Sequence, residues 1–318
     1  MGLFSLLSQS LLAQDFPRDT SYTTHSAYLK YQKEYPQIEI VKAKMDSSIT
    51  IQRDVVYHHI GDRALHLDLY AQAISKERRL PLIVLIHGGG WVSGDRSMLE
   101  PMAMRMAHES FATATVEYRL SPEEQYPAAV QDIKLAIRWL KWHADELGID
   151  SSRVAVLGSS AGGQLATLVG YSDGFAKFEL ANTDIPASSK VQAVIDIDGI
   201  LAFHHPESKE GKVAGLWIGG TYEQVPTLWE EASALSHAGA GDPPTLFINS
   251  SFPRFHAGQD DVIKIFNHYD IDTEVCQIEN SPHSFWLFDP WFERTVDSVL
   301  VFLNQVFPSE NDNDDSRK

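Results

Sequence analysis

The stretch RVAVLGSSAGGQLATLVGY (153–171) constrains this chain more than any other. An apolar run that reads as a buried strand leads into GSSAG (158–162), and a helix-like run follows at once. In a G-x-S-x-G pattern the serine sits on a sharp, strained turn between strand and helix, which only small neighbours tolerate. Gly158 and Gly162 flank Ser160, and Gly163 gives further room. The helix start also directs its N–H groups and positive dipole end toward the serine. Ser160 is therefore the expected nucleophile.

A second stretch, HGGGW (87–91), follows the apolar run PLIVLI (81–86). Glycine loses more backbone freedom on folding than any other residue, so three in a row imply that the backbone itself is needed. Backbone N–H groups without a Cβ in the way can approach a developing oxyanion, which requires preorganised donors. Gly89 and Gly90 are the expected donors, with Gly88 as competitor and the N–H of Ala161 completing the set. His87 is expected to hold this loop by hydrogen bonds and not to act as a base.

A serine on such a turn needs a base and an acid, in the chain order Ser, acid, His. SPHSFW (281–286) lies beyond the last strand-like run, TEVCQI (273–278), and supplies His283 as general base. The acid should follow PTLFINSS (244–251), but SFPRFHAGQDD (251–261) stands there instead. Asp260 is taken as the acid, narrowly over Asp261. Both could alternatively cap the helix that begins in GQDDVIKIF (258–266). Asp198, in DIDG after the preceding strand, is the fallback. His256, in RFHAG, faces the same region. Trp91 and Trp286 are the expected substrate-binding platforms. Phe285, Phe288, Trp291 and Phe292 add apolar surface, and core packing is the alternative for half of these aromatics.

Around these motifs strands and helices alternate. ITIQRDVVYHHI (49–60) and LHLDLYAQ (65–72) have the period of half-buried antiparallel strands. The strands that follow are separated mostly by helices, among them YPAAVQDIKLAIRWLKWHADEL (126–147). Such alternation implies an α/β fold, a largely parallel sheet with helices on both faces. The chain divides into a possible signal remnant (1–14), an N-terminal arm (15–47), a catalytic domain (48–308) and a disordered acidic tail (309–318). The irregular segment 200–235 is expected to form a lid or pocket wall.

Composition narrows the function. With 26 Lys and Arg against 43 Asp and Glu, the formal charge is −17, and no basic run offers a nucleic-acid footprint. One cysteine, Cys276, allows neither an intramolecular disulfide nor a thiolate metal cluster. HGGGW lacks the spacing of a dinucleotide fingerprint. No metal or cofactor is expected. No segment approaches membrane-spanning length. MGLFSLLSQSLLAQ (1–14) is similar to the apolar part of a secretory signal, without its basic start, so a periplasmic or secreted location is expected; the alternative is an amphipathic helix that packs on the body of a cytoplasmic protein.

Taken in order, HGGGW, VEYRLSPEEQYPAAVQDIKLAIRWL (116–140), GSSAGG and SPHSFW resemble the α/β-hydrolase superfamily over residues 48–306. Within it they look most like hormone-sensitive-lipase-type carboxylesterases and the related bacterial carbohydrate esterases. DIDGILAFHHPES (196–208), FINSSFPRFHAG (247–258) and PHSFWLFDPWF (282–292) look like bacterial pectin and xylan acetylesterases in particular. The resemblance implies an eight-stranded sheet and a triad of Ser160, His283 and an aspartate. The chain departs from the family's G-x-x-D after the seventh strand. The implied activity is hydrolysis of acetyl esters on a plant or algal polysaccharide or oligosaccharide, with only the small-molecule or oligosaccharide ester as partner. A generic short-chain carboxylesterase and an arylformamidase-like amidase are the alternatives. A peptidase of this type usually carries an additional large domain. A non-catalytic binding protein is disfavoured because Ser160 and His283 are both retained.

Overall fold

The continuous apolar run at residues 80–86 forms the middle of a sheet that is covered on both sides. A computed structural model describes residues 18–72, 79–180, 183–209 and 211–308 of the 318. The readings of 1–14 as a signal remnant and of 309–318 as a disordered tail lie outside the described residues. The sheet has eight strands: β1 (Ile49–Ile60), β2 (Arg63–Gln72), β3 (Leu80–Ile86), β4 (Ala112–Val116), β5 (Ile149–Ser159), β6 (Ala193–Ile197), β7 (Thr245–Asn249) and β8 (Thr273–Gln277). Their order is β1-β2-β4-β3-β5-β6-β7-β8. β2 runs antiparallel to both of its neighbours, and all other pairings are parallel.

Successive side chains on a strand point to opposite faces. Leu82, Val84 and Ile86 of β3 accordingly join one hydrophobic cluster, with Val154 and Val156 of β5. Ile83 and Leu85 join the other, with Ala155, Leu157, Ile195 and Ile197. Helices α1 (Thr24–Tyr31), α2 (Glu100–Ala107), α3 (Ala128–Trp142), α4 (Ala161–Tyr171), α5 (Gly211–Ile218), α6 (Pro226–Ala232), α7 (Gln259–His268) and α8 (Phe292–Val306) surround the sheet. On α3, Val130, Ile133, Ile137 and Leu140 form the apolar stripe expected from their spacing and pack into the first cluster with α4. Residues of α2 and α8 fill the second.

Residues of the arm tie together two loops at the carboxyl ends of the strands. Asp19 bridges Ser93 beside the triple glycine, and Tyr22 Oη lies 3.1 Å from Ser284 Oγ next to His283. Beyond α1, Glu39–Ile40 pairs antiparallel with Phe288–Asp289. In segment 200–235, α5 and α6 form a wall in which Val213 reaches the triple glycine: a Cβ on Gly90 would lie 3.1 Å from Val213 Cγ1.

Candidate active site

β5 ends at Ser159 and α4 begins at Ala161, so Ser160 alone makes the turn. It does so at φ 56° and ψ −121°. A non-glycine residue there is strained by about 1–3 kcal/mol, a cost that surrounding packing must offset. The packing is tight: a Cβ on Gly158 would overlap Gly162 O at 1.8 Å, and one on Gly162 would meet Ile86 O at 2.2 Å. The Ser160 N–H is held by Ile197 O at 2.8 Å.

From this turn a line of hydrogen bonds runs inward. Ser160 Oγ lies 2.8 Å from His283 Nε2, and His283 Nδ1 lies 2.8 Å from Asp198 Oδ2. The acid in line with the imidazole is thus Asp198, and the expectation of Asp260 is corrected. Asp260 is exposed in the first turn of α7, the placement of a carboxylate that complements a helix N-terminus. Asp261 beside it is engaged by Lys264 at 2.9 Å and by His205 at 3.2 Å.

Strand adjacency explains the change of donor strand. Neighbouring parallel strands lie about 4.8 Å apart, so the tips of β6 and β7 address the same imidazole. Asp198 N donates to Ile248 O at 3.0 Å, and Ser250 N returns a bond to Asp198 Oδ1 at 2.6 Å. Asp198 adopts φ 54°, which swings its carboxyl out of line with the strand. Asp196, two residues earlier, is also buried but accepts instead from Gly199 N at 2.8 Å. Burial pushes the Asp196 carboxyl far above the usual range. Burial acts on Asp198 in the same direction, but donors from His256 and His283 outweigh it and hold that carboxyl below the usual range. Burial thus raises one carboxyl, while hydrogen-bond donors lower the other.

The triple glycine lies against Ser160. A Cβ on Gly88 would come within 2.6 Å of Ser159 O and 3.0 Å of Ser160 Cβ. Gly89 has φ 131° and Gly90 φ 62°, and a Cβ on Gly89 would strike Ser93 O at 2.0 Å. Ala161 is the first residue of α4, where the N–H has no intrahelical acceptor. His87 is buried, and burial lowers its imidazole pKa. Its Nδ1–H donates to Gly88 O at 2.8 Å, its ring stacks on Tyr118, and Tyr118 Oη donates to His87 O at 2.8 Å. Since the Gly88 backbone has no slack toward Ser159, Gly88→Ala is expected to lower turnover by about 10²–10³, the loss that follows displacement of one oxyanion donor. Steady-state kcat and thermal melting of the purified variant measure this, and wild-type values for both would contradict it.

Neither expected platform is presented to solvent. Trp91, at φ 62°, turns inward, donates from Nε1 to Gln164 Oε1 at 2.9 Å and stacks on Trp217 at 5.3 Å. Trp286 sets its edge against His283, with centroids 5.2 Å apart at 90°. It lines a cavity of about 250 Å³ whose wall includes Met98, Met102 and Phe292 but neither Ser160 nor His283. Both indoles are 3% exposed. Trp91 thus packs beside the glycine loop and Trp286 beside the imidazole. Phe285, Phe288, Trp291 and Phe292 are buried as well.

Two residues at the site carried little sequence signal. Phe255 stacks on the His283 ring with centroids 3.4 Å apart at 11°. His256 Nε2 lies 3.1 Å from Asp198 Oδ1. Both belong to the short turn Pro253–His256, inside the insertion that had obscured the acid.

Comparison with known proteins agrees with this architecture. The BD-FAE family model matches residues 67–265, more than half of the chain. Esterase LipC of Mycobacterium tuberculosis (strain ATCC 25618 / H37Rv) is 25% identical over 277 residues, covering 81% of this chain and 66% of LipC. The probable carboxylic ester hydrolase LipM of the same organism is 30% identical over 288 residues, covering 83% of this chain and 64% of LipM. The chain therefore spans just under two thirds of the length of these curated relatives. Among solved structures, the apo form of Thermogutta terrifontis esterase 2 superposes with a TM-score of 0.69 at 22% identity, over 82% of this chain and 96% of that one. A truncated carbohydrate esterase from gut microbiota gives a TM-score of 0.69 at 20% identity, over 83% of this chain and 99% of that one. With the family match over most of its length and this order of strands around the Ser160 turn, the chain belongs to the BD-FAE family and has the α/β-hydrolase fold.

Proposed function

We propose that the chain is a serine esterase that hydrolyses short acyl esters, acetyl above all, on a plant or algal polysaccharide or oligosaccharide. The observation that carries the esterase reading is the unbroken line from Ser160 Oγ through His283 to the buried, ionised Asp198. His283 Nε2 takes the Ser160 proton as Oγ attacks the ester carbonyl, and the Nδ1–H bond to Asp198 stabilises the imidazolium that forms. N–H groups from the triple glycine and Ala161 receive the oxyanion. The imidazolium then protonates the leaving alcohol, and water, deprotonated by the same imidazole, releases the acid from the acyl-enzyme. The curated relatives named esterase and carboxylic ester hydrolase support this chemistry.

The carbohydrate part of the proposal rests on the resemblance of three loops and on one structural neighbour named a carbohydrate esterase. A polysaccharide substrate would put the protein outside the cytoplasm. Among the described residues no helix is long and apolar enough to cross a membrane. The second reading, a generic short-chain carboxylesterase, is favoured by the burial of Trp91 and Trp286, which leaves neither indole as a sugar platform.

Acyl-chain selectivity separates the two. In a tight acyl pocket one extra methylene is worth roughly 10–200-fold in kcat/KM, so p-nitrophenyl acetate should far exceed the butyrate and octanoate esters. Acetate release from acetylated xylan or pectin oligosaccharides should accompany that preference. Fastest cleavage of octanoate, with no acetate released from either glycan, would replace the carbohydrate reading with the generic one.

A further inference from the structure

Asp198 carries one more donor than a serine–histidine–aspartate line requires. Its side chain is wholly buried. Oδ2 accepts from His283 Nδ1 at 2.8 Å, while Oδ1 accepts from Ser250 N at 2.6 Å and from His256 Nε2 at 3.1 Å. An ionised carboxylate can only accept, so the His256 bond is an Nε2–H donation.

His256 is held in place by the loop that carries the acid. Ala257 O receives both Leu201 N, at 2.9 Å, and Ala202 N, at 3.1 Å. Gly258 follows at φ 84°, where a Cβ would lie 2.9 Å from Ala202 Cβ. Phe255, its neighbour on the other side, lies flat on the His283 ring. One short turn thus covers the face of the base and grips the acid behind it.

We propose that His256 is a positioning residue, a fourth member of the line whose Nε2–H fixes the plane of the Asp198 carboxylate so that Oδ2 stays on His283 Nδ1. This rests on the serine esterase reading. Without the His256 bond, Ser250 N on Oδ1 and His283 Nδ1–H on Oδ2 would be the only donors among the described residues, and each oxygen could swing about its one bond. A second donor from another direction removes that freedom. Without it a buried charge also loses one of its partners, which is costly where no water replaces it. As a positioning residue His256 acts through Asp198, so its loss should appear in kcat and not in KM.

His256→Phe and His256→Gln test this with p-nitrophenyl acetate, thermal melting and the downfield proton resonance of the His283 Nδ1–H. Phenylalanine fills the space without a donor, and glutamine restores an N–H. His256→Phe is expected to lose about 10- to 100-fold in kcat, the worth of one hydrogen bond to a charged group, with KM unchanged and the resonance shifted or broadened. His256→Gln should recover most of kcat and the wild-type resonance. Wild-type kcat and an unmoved resonance in His256→Phe would overturn the proposal. So would a loss in both variants that follows a fall in melting temperature. If the wild-type protein cleaved no ester at all, the esterase reading would fail, and the resonance would still decide whether His256 orders the Asp198–His283 pair.

Discussion

Ser160→Ala is expected to lower turnover of short-chain esters by about 10⁴- to 10⁶-fold while leaving thermal melting unchanged. The variant removes one oxygen, the atom 2.8 Å from His283 Nε2. The strain of the turn resides in the backbone at φ 56° and is carried by Gly158, Gly162 and the Ser160 N–H bond to Ile197 O. An alanine there keeps all three. Residual activity should come from the oxyanion donors and from substrate binding alone. His283→Ala should lose a similar amount, and the double variant should be little worse than either, because the two residues act as a unit. Active-site titration against a trace of wild-type protein guards the measurement. Retention of more than a few per cent of wild-type kcat, well above that residual scale, would remove Ser160 from the chemistry.

The second large effect belongs to Asp198→Asn, for which kcat should fall about 10⁴-fold. The size follows from which side of the new amide faces which neighbour. At the Oδ1 position Ser250 N and the His256 Nε2–H both donate, so the amide oxygen must sit there. The NH₂ group is then turned to His283 Nδ1 and forces that nitrogen to accept. The imidazole proton moves to Nε2 and points at Ser160, where a base is required. Asp260→Asn, by contrast, alters an exposed side chain in the first turn of α7 and should leave kcat close to wild type. Kinetics of both variants at matched folded fraction check the pair. A large loss in Asp260→Asn with wild-type turnover in Asp198→Asn would reverse the assignment.

That reversal is what the sequence alone favoured, and the reason is physical. Local geometry is legible where it forces residue type. Ser160 between small residues and three glycines after a strand each announce a backbone requirement, chain order points to a histidine beyond the last strand, and the structure brings all three together. An acid is different, because a carboxylate need only arrive near Nδ1 and can come from either of two adjacent strand tips. Chain order placed it after β7; the β6–β7 ladder and the positive φ of Asp198 deliver it from β6. The lack of an aspartate at the end of PTLFINSS, with one standing free in DIDG, was the available signal.

The placement of the aromatic residues was hard to read for another reason. A tryptophan beside a catalytic motif reads the same whether its ring faces solvent or core. The inward turn of Trp91 depends on a backbone conformation and on Gln164, 73 residues away. His256 was visible only as a histidine in an insertion, because its meaning lies in a contact 58 residues distant. The parallel core of the sheet was far easier to read, since β3 and residues 154–157 of β5 carry apolar residues at every step and must be covered on both faces.

The most direct test of the central claim is covalent. Wild-type protein treated with diisopropyl fluorophosphate, then digested and sequenced by mass spectrometry, should carry a single phosphoryl adduct on Ser160, with ester hydrolysis lost in step with labelling. An adduct confined to another residue, or full hydrolysis with Ser160 quantitatively modified, would contradict it.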